Sequence, residues 1–177
     1  MSPSSPREGA PGSVDGPGLL HEDDERAIVT FQRLLHHPIE EVWAAITDPE
    51  ELETWSLVKV SREPSHGRLE MRYANGLRAG GRVLEWNPPR VYEYEWNVDP
   101  GQALPRGETS IVRWELSPRN EGTLLVVTHR KLTRPTAEVL VRGLRVFLDR
   151  LSAHMDGRPI PEPPWNAPPP IPSREPS

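Results

Sequence analysis

The chain has 177 residues, a formal net charge of −5 and no cysteine, which excludes disulfides, thiolate catalysis and thiolate metal sites. It shows no signal-peptide pattern and no apolar run long enough to span a membrane, so we expect a cytoplasmic protein with no membrane partner. Basic residues form no stripe along the chain, and we therefore expect no nucleic-acid partner.

Proline and glycine divide the chain into a central domain and two tails. The sequence has 22 prolines, and many of them fall before residue 20 or after residue 157. Segments of this composition lack the apolar periodicity of a packed core and favour extended or disordered chain. We therefore predict a disordered tail over 1–24, one domain over 25–157 and a proline-rich disordered tail over 158–177.

A strand and two short helices are predicted at the start of the domain. The run ERAIVTFQRLL (25–35) has a strand-like composition. Four apolar residues then recur at helical spacing on one face: Ile39, Val42, Trp43 and Ile46. A second helix is predicted to begin with Asp48 as its N-cap and Pro49 at the first helical position. Glu51, at the third helical position, completes a capping box. Helices this short need a surface to pack against.

Six strand-like segments follow, separated by turn residues. They are SLVKVSR, GRLEMRY, LRAGGRVLEW, RVYEYEWN, TSIVRWELS and TLLVVTHRKL, and they begin at residues 56, 67, 77, 90, 109 and 123. Asn75-Gly76 predicts a hairpin turn, and Gly80-Gly81 predicts a bulge or bend. Apolar and polar residues alternate along the last three segments, which is typical of antiparallel strands with one face in water.

A long amphipathic helix is predicted over 136–155, before Gly157 and Pro159. Its apolar stripe consists of Leu140, Leu144, Phe147, Leu148, Leu151 and Met155. The predicted fold class is therefore α+β. A curved antiparallel sheet of about six to seven strands would wrap around this C-terminal helix, with two short helices after the first strand.

Four segments resemble a known family: PIEEVWAAITDPEELETW, VLEWNPPRVYEYEW, TSIVRWELSPRNEGTLLVVTH and GLRVFLDRLSAHMDG. Together they resemble the SRPBCC superfamily of START-like and birch-allergen-like helix-grip proteins, in the branch named after the activator of the heat-shock protein 90 ATPase. Members of that branch usually have Gly-Trp where this chain has Gly143-Leu144. The resemblance implies the helix-grip fold, whereas its functions range over ligand carriers, cyclases, oxygenase subunits and co-chaperones.

A sheet wrapped around a helix leaves an internal cavity, whose size depends on the side chains that line it. The predicted ligand-binding residues are Trp43, Trp55, Tyr92, Tyr94, Trp96, Trp114, His129, Leu144, Phe147 and Leu148. The alternative for this set is plain core packing. His129 shares a face with Leu125 and Val127, so we expect it to point inward. It would then either bond within the core, to a backbone carbonyl or to Tyr92 or Tyr94, or contact a ligand.

The sequence contains no catalytic constellation, no metal-ligand spacing and no phosphate- or dinucleotide-binding glycine motif. His36 and His37 are adjacent and would point apart in a strand, so they cannot chelate one metal together. Alternation places Glu93, Glu95 and Glu115 on the water-facing side of the sheet. We therefore predict no catalytic residues, no metal and no cofactor.

Three functional hypotheses remain open at this stage. The first is a non-enzymatic protein, monomer or homodimer, that binds an apolar or aromatic small molecule in its cavity and serves a stress or regulatory role. The second is a co-chaperone-like module with a protein partner, related to heat-shock protein 90 activators. The third is a cyclase- or dehydratase-type enzyme in which His129 and Tyr94 act as an acid–base pair.

Overall fold

The computed structural model describes residues 19–23, 26–63, 65–102 and 104–163, with only the backbone for 19–23. The parts of the two predicted tails over 1–18 and 164–177 lie outside these residues. In chain order the elements are β1 (Leu19–Asp23), β2 (Arg26–Leu35), α1 (Ile39–Thr47), α2 (Pro49–Ser56), β3 (Val58–Arg62), β4 (Arg68–Tyr73), β5 (Arg78–Asn87), β6 (Val91–Val98), β7 (Glu108–Arg119), β8 (Gly122–Leu132) and α3 (Arg134–Met155).

The described strands form one antiparallel sheet in the order β1-β2-β8-β7-β6-β5-β4-β3. The predicted fold class is confirmed: the two short helices follow the first long strand, and the long helix α3 is the last element of the described residues. The sheet has eight strands in the described part of the chain rather than six to seven. The extra strand is β1, whose backbone pairs with β2 at the sheet edge.

The two faces of the sheet differ in chemistry because side chains alternate along each strand. On β6, Tyr92, Tyr94 and Trp96 are buried on the face that forms the core. On the opposite face, Glu93 pairs with Arg113 at 3.2 Å and with Arg130 at 2.8 Å. The Arg130 guanidinium, more than Arg113, holds the pKa of Glu93 below its usual value. Glu95 and Glu115 on this outer face are also ion-paired, with Arg82 and Arg113. The expectation of a water-exposed Glu93 is wrong, because the two arginines cover its carboxylate and bury it.

Helix α3 packs against β2 and α2 and closes the core on the side opposite the outer face. Leu148 and Leu151 are buried, and the rest of the predicted stripe is half-buried against the core: Leu140, Leu144, Phe147 and Met155. Arg33 of β2 binds the helix directly, through Asp149 at 2.9 Å and Ser152 at 3.2 Å. The helix is thus fixed to the sheet by both apolar and polar contacts.

Helices α1 and α2 meet at Asp48, as the sequence predicts. The side chain of Asp48 accepts hydrogen bonds from the backbone N–H groups of Glu50 at 2.9 Å and Glu51 at 3.3 Å. These bonds satisfy two of the unpaired donors at the start of α2. The short helix then buries Trp55, whose indole N–H donates to the carbonyl oxygen of Ala45 in α1 at 2.8 Å.

The irregularity in β5 lies after the position that the sequence predicts. The register shift falls between Val83 and Glu85, not at Gly80-Gly81. The two glycines instead permit close approach of neighbouring strands. A Cβ atom on Gly81 would lie 2.5 Å from the Cβ of Glu95, and one on Gly80 would lie 2.9 Å from the carbonyl oxygen of Leu69.

The described structure includes residues on either side of the range 25–157. Before this range, the backbone of β1 begins at Leu19 and pairs with β2. After Gly157 the chain still contacts the core, because Ile160 packs against it and Pro163 is fully buried. No helix in the described residues is long and apolar enough to cross a membrane.

Candidate functional site

A cavity of about 290 Å³ lies between the inner face of the sheet, α2 and α3. Eight of the ten predicted ligand-binding residues line it: Trp55, Tyr92, Tyr94, Trp96, Trp114, His129, Leu144 and Phe147. The other two, Trp43 and Leu148, do not. Leu148 is buried in the core, and Trp43 packs edge-on against Trp86 at a centroid distance of 5.2 Å.

Several lining residues were missed by the sequence reasoning. They lie on β4, on the β4–β5 hairpin, before β7 and on the first half of α3: Met71, Tyr73, Asn75, Leu77, Leu104, Val139, Leu140 and Gly143. Tyr73 could have been found, because it continues the inward row of Leu69 and Met71 at a spacing of two. Gly143 lies three residues after Leu140 and four before Phe147, so the helical stripe also contained it.

An aromatic cluster beside Tyr92 packs around a positive charge. The Trp86 ring contacts the Tyr92 ring edge-on, with 5.1 Å between the ring centroids. The His66 ring stacks on Trp86, with 4.2 Å between their centroids. The guanidinium of Arg62 lies 5.0 Å from the Trp86 ring and 5.7 Å from the Tyr92 ring, within cation–π range. Arg62 also donates to the carbonyl oxygen of Thr47. The protein's own side chains therefore fill the space next to Tyr92.

The mouth of the cavity lies where its lining residues are exposed. Ala74 and Asn75 on the β4–β5 hairpin and Val139 on α3 are exposed, and Val139 has 66% of its surface accessible. At Gly143, one turn further along α3, a Cβ would have no atom within 4 Å apart from those of its chain neighbours and its own helix backbone. The space beside this glycine is therefore open. Access to the cavity runs between the hairpin and the first half of α3.

The polar groups of the wall are mostly paired with one another. The indole N–H of Trp96 donates to the Tyr73 hydroxyl at 2.8 Å, and that of Trp114 donates to the Tyr94 hydroxyl at 3.3 Å. The hydroxyl of Tyr92 accepts from Arg62 at 3.4 Å. These bonds fix the orientation of the rings, so the cavity has rigid aromatic walls with hydroxyl groups among them.

His129 is buried in the wall, where its Nε2 lies 2.7 Å from the hydroxyl oxygen of Ser110. The hydroxyl of Ser110 also lies 3.0 Å from the carbonyl oxygen of Trp96. The imidazole meets the Trp96 ring edge-on at a centroid distance of 5.1 Å. The partner of His129 is therefore a serine hydroxyl, not a backbone carbonyl and not Tyr92 or Tyr94.

Burial keeps the titratable groups of the cavity uncharged. It lowers the pKa of His129 from 6.5 to about 3, because the charged imidazolium would lose its hydration. Burial likewise raises the pKa of Tyr73 to about 12 and raises the pKa of Tyr94 well above 10. At neutral pH the cavity is therefore lined by a neutral imidazole and neutral phenols. Among the described residues, no group of three or more His, Asp or Glu side chains is placed to hold a metal ion.

The fold and the sequence can be compared with those of known proteins. The structure is similar to the X-ray structure of protein MLL2253 from Mesorhizobium loti, with 26% sequence identity and a TM-score of 0.66 over 73% of this chain and 97% of that one. It is also similar to DynU16, a protein of the dynemicin biosynthetic locus, with 26% identity and a TM-score of 0.64 over 77% of this chain and 49% of that one.

CalU16 from Micromonospora echinospora has the same fold, with 24% identity and a TM-score of 0.58 over 73% of this chain and 75% of that one. No curated protein matches the sequence significantly. Residues 36–156, more than half of the chain, match the family described as Activator of Hsp90 ATPase homolog 1-like protein. The match runs from just before α1 to the residue after α3 and so contains the three helices and most of the sheet found in the described residues. The chain therefore belongs to the family of Activator of Hsp90 ATPase homolog 1-like proteins.

Proposed function

We propose that the protein binds an uncharged, largely apolar small molecule in the cavity between the sheet and α3, and that it does so without catalysing a reaction. The observation that carries the proposal is the cavity itself, about 290 Å³ with a wall built from aromatic and aliphatic side chains. Its volume is just below the range of roughly 300–1,000 Å³ that is usual for ligand pockets. A compact ligand of one to three rings suits this space.

The electrostatics of the wall favour an uncharged ligand. The groups that could carry charge inside the cavity, His129 and the phenols of Tyr73 and Tyr94, are neutral at pH 7 because they are buried. Burying a ligand's charge without a counter-charge costs several kcal/mol or more. Neutral apolar molecules meet no such cost, and contact with the aromatic walls favours them.

The same pKa shifts favour binding over acid–base catalysis by His129 and Tyr94. An efficient proton donor or acceptor has a pKa near the working pH. The pKa of His129 lies near 3, far below neutral pH, and that of Tyr94 lies well above 10, far above neutral pH. A carrier or sensor role is consistent with this, as is the similarity to DynU16, which belongs to a biosynthetic locus.

Titration with the neutral fluorescent probe N-phenyl-1-naphthylamine tests the proposal. We expect saturable fluorescence enhancement with the natural chain, together with a rise in thermal unfolding temperature. Leu144→Trp, which fills the cavity from α3, should abolish both effects. Leu84→Trp makes the same change at a residue that is 42% exposed and outside the cavity, and it should bind normally. Equal binding by the two variants would refute the cavity as the site.

A further inference from the structure

Tyr94, Val112 and His129 form one row across the inner face of the sheet. The register pairs Tyr94 of β6 with Val112 of β7, and Val112 with His129 of β8. Adjacent strands lie about 4.8 Å apart, so the backbones of Tyr94 and His129 are roughly 10 Å apart. Both side chains line the cavity. One small molecule that lies over Val112 can therefore contact both.

The contacts of Ser110 determine which nitrogen of His129 carries the proton. A serine hydroxyl has one hydrogen, and the Ser110 oxygen lies within hydrogen-bond distance of both the Trp96 carbonyl oxygen and Nε2 of His129. The carbonyl can only accept, so the hydroxyl donates to it and accepts a bond from Nε2–H. In the neutral imidazole, Nδ1 then carries the lone pair. Among the described residues, no side chain or backbone group donates to it.

The Tyr94 hydroxyl has the complementary capacity. Its oxygen accepts from the indole N–H of Trp114 at 3.3 Å. No acceptor for its hydrogen is found among the described residues. The row thus presents a hydrogen-bond acceptor on His129 and a donor on Tyr94, in a wall that is mostly apolar. The hydroxyl of Tyr92, which accepts from Arg62, is a second donor in the wall, beside Tyr94. Polar groups removed from water are more stable when such bonds are completed.

We infer that the ligand of this cavity is an uncharged aromatic molecule with a hydroxyl group, which donates to Nδ1 of His129 while Tyr94 donates to an oxygen of the same ligand. This rests on the proposed function and narrows it from apolar molecules in general to hydroxylated ones. A carboxylate offers no hydrogen to Nδ1 and brings a charge into an uncharged site. A plain hydrocarbon leaves both protein groups without partners.

Three naphthalene derivatives separate these cases because they share one ring system. At pH 7, 2-naphthol carries an un-ionised hydroxyl, 2-methylnaphthalene replaces it with a methyl group of similar size, and 2-naphthoate carries a negative charge. Dissociation constants for the three are measured by calorimetry with the natural chain and with His129→Leu. Leucine removes the acceptor but leaves Ser110 able to donate to the Trp96 carbonyl.

The decisive quantity is the preference for 2-naphthol, defined as the dissociation constant of 2-methylnaphthalene divided by that of 2-naphthol. We expect it to fall roughly tenfold in His129→Leu, about the effect of leaving one polar group of a buried pair unsatisfied. Tyr94→Phe should reduce the same preference severalfold. An unchanged preference in both variants, or binding of 2-naphthoate as tight as that of 2-naphthol, overturns the inference. If the natural chain binds N-phenyl-1-naphthylamine but none of the three compounds, the inference is overturned and the proposed function stands. If the probe does not bind either, the proposed function is overturned, and the inference with it.

Nitrogen-15 NMR of the histidines gives a readout that needs no variant. In the free protein, the His129 signals should show the tautomer with the proton on Nε2. Addition of 2-naphthol should move the Nδ1 resonance toward that of a hydrogen-bonded acceptor, whereas 2-methylnaphthalene should leave it in place. A proton found on Nδ1 in the free protein would contradict the assignment on which the inference rests.

Discussion

The Nε atom of Arg150 in α3 donates a hydrogen bond to the carbonyl oxygen of Trp55, at the end of α2, over 2.7 Å. Arg150 is buried, and its Nη1 also donates to the carbonyl oxygen of Pro161. One guanidinium therefore joins the long helix, the short helix that walls the cavity and the first residues of the proline-rich segment. Both acceptors are backbone carbonyl oxygens.

Replacing Arg150 should cost a large part of the protein's stability. Hydrogen bonds from a charged donor contribute about 1.5–3 kcal/mol each, and Arg150→Ala removes two of them and leaves two carbonyls unpaired. Pro161 is exposed, so water can replace the second bond and its loss costs less. We therefore expect the free energy of unfolding in urea to fall by about 2–4 kcal/mol, most of it from the buried bond to Trp55. Arg142→Ala, an exposed change on the same helix, should stay within about 0.5 kcal/mol of the natural chain. Similar values for the two variants would show that the Arg150 bonds contribute little.

The capping interaction of Asp48 gives a second stability prediction. Asp48→Ala removes the acceptor for the N–H groups of Glu50 and Glu51, so it should cost about 1 kcal/mol in the free energy of unfolding. Asp48→Asn retains a side-chain oxygen at the same place and should cost much less. If the two variants were equally destabilised, the negative charge rather than the cap would be the source of the effect.

The features that the sequence predicted are those governed by nearby residues. Asp48 and Pro49 start α2 because a helix N-terminus requires an acceptor and tolerates proline, whatever the rest of the fold does. Tyr92, Tyr94 and Trp96 face the core together because side chains alternate along a strand. Much of the cavity wall follows from this alternation along the strands and from the helical spacing of the apolar stripe on α3. For that reason most of the predicted binding residues do line the cavity.

The features that the sequence did not predict depend on pairs that are distant along the chain. Ser110 meets His129 only because β7 and β8 pair in one particular register. Gly80 and Gly81 fit against Leu69 and Glu95, so their role is close packing between strands rather than a bulge. The pattern of neighbouring residues cannot predict such contacts, since a shift of one residue in the strand register would replace every cross-strand partner.

The burial of His129 should make stability depend on pH between about 3 and 6.5. Its pKa is about 3 in the folded protein and near 6.5 when unfolded, so in this interval the unfolded chain binds one more proton. Stability from this residue is fully present above pH 6.5 and is lost as the pH falls. At pH 5 the loss should reach about 2 kcal/mol, at about 1.4 kcal/mol for each unit below 6.5.

Urea denaturation of the natural chain and of His129→Leu, each at pH 7 and pH 5, measures this contribution. Other titrating groups are common to both proteins, so the difference between the two pH effects belongs to His129. We expect the natural chain to lose about 2 kcal/mol more than the variant does. The same pH effect in both proteins would mean that His129 is protonated in the fold, which would also remove the neutral acceptor from the cavity.

Gly143 should govern access to the cavity. It lies inside α3, where glycine is less stable than alanine by about 0.5–1 kcal/mol, and a Cβ there would meet no atom within 4 Å. Gly143→Ala should therefore raise the free energy of unfolding by about that amount and leave probe binding intact. Gly143→Phe should place a ring in the open space and slow the association of N-phenyl-1-naphthylamine at least tenfold in stopped-flow fluorescence, whereas Arg145→Phe, on the exposed side of α3, should not. If the probe associated with Gly143→Phe as fast as with Arg145→Phe, ligands would have to enter by a route away from this part of α3.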